Sequence, residues 1–164
     1  MLTIESQVTV PRLTGAEITD FFHTCTDERY QAWWPGVHLH LHRLAAGGSD
    51  HVHDEWLMDE LVGTRHVRMT IEVVAAEPGR KIAWQFKKGG IRLPVRLALE
   101  LTDRDDGVAI RHAMTAGWDG PGRLLDPLWR LDFSPRFVTM LDQHVHTEFP
   151  RMRDLLHPVP TNDT

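Results

Sequence analysis

Asp142-Gln143-His144-Val145-His146-Thr147-Glu148-Phe149-Pro150 is the centre of the segment that decides how this 164-residue chain folds. Outward from it, Phe137, Leu141, Val145, Phe149, Met152 and Leu155 recur at helical intervals, and Ser134-Pro135 supplies an N-cap and a first-turn proline. The segment therefore reads as a long amphipathic helix with one apolar side. His144 and Glu148 stand four residues apart, so an imidazole and a carboxylate project from one face. Pro150 removes the hydrogen bond its amide would give to the His146 carbonyl, which predicts a kink beside that pair.

An amphipathic helix needs a surface to cover, and the preceding chain supplies one. From Val37 the period is two. Val37-His38-Leu39-His40-Leu41-His42 alternates, Gly47-Gly48-Ser49 breaks the run, and 55–62 resumes it. Gly63 marks the next reversal, followed by 66–75; Pro78-Gly79 turns the chain into 81–87, with Ile82, Trp84 and Phe86 on one face. Leu93, Val95, Leu97, Leu99 and Leu101 alternate strictly, Asp105-Asp106-Gly107 is a turn, and Val108, Ile110, His112 and Met114 share a face of the last strand. Residues 2–10 form one more strand. Thr14-Gly15-Ala16-Glu17 is a capping box that opens a helix to His23, and Asp27 caps a second helix over 28–34, stopped by Pro35-Gly36. A further helical piece is expected over 121–130.

This order predicts an α+β fold, a curved seven-stranded antiparallel sheet wrapped around the long C-terminal helix, with two short helices between strands 1 and 2. A cavity is expected between sheet and helix. Residues 1–157 make a single domain, and 158–164 a disordered tail.

The formal net charge of −5 and a sequence pI near 6.1 give no basis for nucleic-acid binding, which needs clustered Lys and Arg. No stretch approaches the roughly 18 apolar residues of a membrane span. Cys25 is the single cysteine, so no intrachain disulfide forms. A cytoplasmic protein is the expectation.

Histidine is over-represented, with 11 in the chain. Imidazoles are the commonest metal ligands and titrate near neutral pH. Centring the first hairpin on Gly47 to Ser49 places His38 opposite Glu60, and centring the second on Gly63 places Glu60 opposite His66. Direct cross-strand neighbours have Cβ atoms about 4.5–5.5 Å apart. One row would then read His38, Glu60, His66. The opposite parity, with Val37, Leu39, Leu41, Leu57, Leu61, Val67, Met69 and Ile71, is the more apolar, which leaves open whether the polar row faces the helix or solvent. His40, His42, His51 and His53 read as polar strand or loop residues and His146 as solvated. His112 either faces the cavity or is a hydrogen-bonded core residue.

The topology resembles the helix-grip superfamily (START, Bet v 1-like, SRPBCC) across nearly the whole chain. More narrowly, Tyr30-Gln31-Ala32-Trp33-Trp34-Pro35-Gly36-Val37-His38, Glu60 and His144-x-x-x-Glu148 resemble the zinc-dependent diacetylphloroglucinol and phloretin hydrolases. That resemblance implies His38, Glu60, His144 and Glu148 as ligands of Zn2+, with iron, manganese or nickel as alternatives. It also implies a role for Tyr30, eight residues before His38, and a catalytic histidine that would be His66 or His112. Leu41 stands where that group has an asparagine.

Two neutral imidazoles and two carboxylates neutralise a divalent cation, and nitrogen/oxygen ligation suits zinc. Trp33, Trp34, Trp56, Trp84 and Met114 would form the wall for a small apolar molecule. The first expectation is a metal-dependent hydrolase of a small aromatic or polyketide-like carbonyl compound. The rivals are a metal-free carrier for lipids or polyketides and a metal-free cyclase using a buried histidine as base.

Overall fold

The computed structural model describes residues 1–118 and 133–158. The helical piece expected over 121–130 and nearly all of the tail lie outside them. The elements follow the predicted order: β1 (Leu2–Pro11), α1 (Gly15–His23), α2 (Asp27–Trp33), β2 (His38–Ala45), β3 (Glu55–Val62), β4 (Arg65–Glu77), β5 (Lys81–Lys88), β6 (Ile91–Arg104), β7 (Gly107–Ala116) and α3 (Pro135–Leu156). The seven strands make a single antiparallel sheet in the order β1-β7-β6-β5-β4-β3-β2. Its two edges, β1 and β2, are therefore joined in sequence by α1 and α2.

Local chemistry accounts for the element ends. Thr14 accepts from the Glu17 amide and Glu17 returns to the Thr14 amide, closing the predicted capping box. The second helix differs from expectation: Thr26 is its N-cap, and Asp27 is its first helical residue. Asp27 is thus released from capping. At α3, Ser134 accepts from the Phe137 amide and Pro135 opens the first turn. The helix runs through Pro150 as one element.

α3 buries Phe137, Leu141, Val145, Phe149 and Met152. It lies against β1, β3 and α2. Each such side chain contributes about 1.5–3 kcal/mol when fully removed from water. The same face also buries His144 and Glu148, which apolar packing does not explain.

Two register features place the strand residues. In β2, His38 pairs with Glu60 but His40 pairs with Asp59, so Leu39 is the extra residue of a β-bulge. Uninterrupted alternation would have set His38, His40 and His42 on one face. The bulge changes the phase, so His38 is fully buried and Leu41 nearly so, while His40 and His42 turn outward onto Asp27. In β3–β4, Val62 pairs with Arg65 across a two-residue turn, Gly63-Thr64. Glu60 consequently faces Val67, and His66 pairs with Leu61. The expected pairing of Glu60 with His66 is wrong by one residue, because the turn centres between Gly63 and Thr64 rather than on Gly63.

Candidate functional site

His38 is the first residue of β2 and follows the Pro35-Gly36 reversal, where Gly36 takes φ 77. The His38 amide donates to the Trp34 carbonyl. Its ring stacks on Tyr30 at 4.1 Å between centroids and meets the edge of Trp33 at 4.4 Å. One turn of α2 thus fixes the imidazole plane. Trp33 in turn donates its indole N–H to the Glu148 carbonyl, tying α2 to α3.

From α3, His144 and Glu148 arrive on one face as the spacing requires. His144 Nε2 lies 3.1 Å from Glu148 Oε2, and His38 Nε2 lies 3.7 Å from the same oxygen. Glu60 comes from β3, its Oε2 4.0 Å from His38 Nε2, and accepts the Tyr30 hydroxyl at 2.5 Å. Ligand atoms of His38, His144 and Glu148 all lie within 4.8 Å of one another. Glu60 stands beside that trio.

The electrostatics are those of opposed buried charges. Burial would raise the Glu148 carboxyl, but His144 and His38 outweigh it and bring it to about 2. Burial would lower His144, and Glu148 and Glu60 more than offset that, leaving it raised. The Tyr30 phenol is held well above its ordinary value by burial, then by the charge of Glu60, so it stays a donor. His112 is lowered, chiefly by burial, against a smaller opposing effect of Glu148. It is neutral at pH 7.

Above these groups lies a cavity of about 410 Å³, within the range of small-molecule sites. Its wall is mostly apolar and includes Trp33, Trp56, Trp84 and Met114. Trp34 does not line it. As the C-cap of α2 it swings to the far side of His144, where the rings stand 4.8 Å apart. Glu60, His112, His144, Glu148 and Tyr30 also belong to the wall, so polar groups gather at an otherwise apolar chamber.

Of the two expected proton-moving histidines, only His112 is present there. His66 is on the outer face, bonded to Asp59 at 2.6 Å with over half of its side chain exposed. The one-residue register difference removes it from the site.

No family model matches this sequence, and no curated protein sequence matches it. Solved structures do. The TTHA0849 protein of Thermus thermophilus superposes with a TM-score of 0.62 at 11% identity, over 94% of this chain and 97% of that one. The ginseng major latex-like protein 151 from Panax ginseng gives 0.55 at 12%, over 87% and 96%. DynU16, a protein in the dynemicin biosynthetic locus, gives 0.52 at 18%; the match spans 95% of this chain and 47% of that one. The chain has the helix-grip fold. Identities this low establish the fold and nothing of the chemistry.

Within the helix-grip cavity the donor set fits a divalent cation on one observation. Both ring nitrogens of His38 and Nε2 of His144 are buried without a hydrogen bond. An unsatisfied buried polar group costs about 1–3 kcal/mol, and a shared cation would satisfy the Nε2 pair together with the carboxylates. Sequence reasoning missed the outer-face carboxylates. Asp59 carries His66 and Arg68, and Glu72 carries His53, Lys87 and Arg92. Their signal was the polar parity of β4, where His66, Arg68, Thr70 and Glu72 alternate, which the misplaced turn centre hid.

Proposed function

We propose that this protein is a metal-dependent hydrolase that draws a small, largely apolar, aromatic or polyketide-like carbonyl compound into the helix-grip cavity. The observation that carries the proposal is the convergence of the unbonded Nε2 atoms of His38 and His144 on the buried carboxylate of Glu148, with Glu60 alongside. A carrier of apolar molecules has no physical reason to bury the Glu148 carboxylate among three imidazoles, with Glu60 partly buried beside it.

His38, Glu60, His144 and Glu148 would hold the cation, zinc by preference, with iron, manganese or nickel as alternatives. Such a cation polarises a carbonyl oxygen and lowers the pKa of a water. The chain's own residues then have separate tasks. Trp33, Trp56, Trp84 and Met114 exclude solvent and orient a planar ligand. Tyr30 holds the Glu60 carboxylate through its hydroxyl and fixes the His38 ring by stacking. His112, neutral and with Nδ1 free of a hydrogen-bond partner, accepts and returns a proton at the cavity wall.

The test is elemental analysis of protein purified without a histidine tag, beside Glu148→Gln. Wild type is expected to retain about one transition-metal ion per chain in the cavity and the variant to lose it. Wild-type protein whose metal content matches that of Glu148→Gln rejects the proposal.

A second reading is favoured by the mainly apolar wall and by the place of DynU16 in a biosynthetic locus. It is a metal-free carrier or cyclase, with His112 as the base. Ligand binding and turnover unaffected by chelators would select it.

A further inference from the structure

The bulge that turns His38 inward leaves His40 and His42 on the outer face of β2, two residues apart and pointing the same way. Asp27, relieved of capping by Thr26, lays its carboxylate across them. Oδ2 lies 3.0 Å from His40 Nδ1, and Oδ1 lies 2.9 Å from His42 Nδ1. Oδ1 also accepts the Leu41 amide at 2.9 Å, which fixes the carboxylate between the two rings. Candidate ligand atoms of the three residues all fall within 4.8 Å of one another. The His40 and His42 side chains are 44% and 40% exposed and that of Asp27 is 28% exposed, so an ion can reach the cluster and keep water on its open side.

We propose that Asp27, His40 and His42 form a second metal site, on the outer face of the sheet, that takes one divalent transition ion such as zinc, copper or nickel. Donors held about 2.0–2.1 Å from a tetrahedral ion stand about 3.3 Å from each other, a few tenths of an ångström beyond the two imidazole–carboxylate spacings of 3.0 and 2.9 Å. Both imidazoles turn Nδ1 to the carboxylate, and with the ring proton carried on Nε2 each would present an Nδ1 lone pair to an ion. Two imidazoles and one carboxylate select these ions over magnesium and calcium, which prefer all-oxygen shells. Asp27 begins the helix that presents Tyr30 and Trp33 to His38, so the ion would pin α2 to β2 from outside. The site does not depend on a metal in the cavity.

The experiment uses the full chain, tag-free and stripped of metal, titrated with Zn2+ to count ions bound at saturation. His42→Ala and Asp27→Asn are expected to bind one ion fewer than wild type, or to bind it about tenfold or more weakly. His51→Ala, an equally exposed loop histidine, is expected to match wild type. Glu148→Gln reports separately on the cavity, so failure there leaves the His42→Ala result standing. Unchanged binding in His42→Ala, or an equal loss in His51→Ala, overturns the proposal. Should a variant misfold, imidazole NMR of wild type decides: Zn2+ is expected to shift His40 and His42, and shifts confined to other histidines refute the site.

Discussion

Tyr30 shows how much of the site hangs on single side chains. Its hydroxyl is bonded to Glu60 and its ring lies flat on His38, so one residue restrains a carboxylate and an imidazole from different strands. Tyr30→Phe keeps the stack and deletes the donor. A hydrogen bond to a charged group is worth about 1.5–3 kcal/mol, and that loss of stability is expected in urea denaturation of metal-free protein; a change below about 0.5 kcal/mol would show that the bond carries no weight. At this scale the sequence was informative where spacing is local. His144 and Glu148 follow from helical geometry, and the Tyr30 to His38 interval crosses a single reversal. Trp34 and Asp27 were misjudged for a shared reason: each sits at a helix end, where a shift of one residue in the cap redirects the side chain.

Among the elements, the β2–β3 connection has a sharp pH signature. Asp54 is buried within it and accepts from the Gly47 amide at 2.6 Å, with His51 and Arg43 beside it. Gly47 cannot be replaced there, because a Cβ would lie 2.1 Å from the Val52 carbonyl oxygen. Burial alone would raise the Asp54 carboxyl, but the Gly47 amide, His51 and Arg43 outweigh it and hold it below its ordinary value of 3.8. A depressed folded-state pKa gives stability that is complete above the unfolded value and is lost as pH falls through the folded one. Wild type should therefore lose more stability than Asp54→Asn between about pH 5 and about pH 3, measured as urea midpoints; equal losses would exclude this contribution. Strand existence and order were legible from alternation, and so was the pairing of His38 with Glu60. The placement of His66 was not, since a two-residue turn and a one-residue turn look alike in sequence but put opposite faces inward.

For the whole molecule, the cavity is the property that sequence alone predicts least, because it is the volume that side chains from every strand fail to fill. Alternation marked apolar residues strand by strand but fixed neither which face of β3 lines the cavity nor the cavity's size. Met69 lines it and is only half-buried, so Met69→Trp is expected to occupy part of the chamber and to weaken binding of an apolar fluorescent dye about tenfold while the chain stays folded. Undiminished dye affinity would mean that the dye binds elsewhere. The extra residue at Leu39 has a further consequence, for how the length of such a chain can change. His38 and His40 already pair with consecutive residues of β3, so losing the Leu39 codon would join them directly in a regular ladder. Adjacent residues of a strand face opposite sides, and His38 would stay inside while His40 stayed outside. A codon lost from the unbulged run of β3, by contrast, would turn over every side chain between the gap and the nearer turn. Leu39 is thus a point where this fold can shorten by one residue and keep both of its histidine faces.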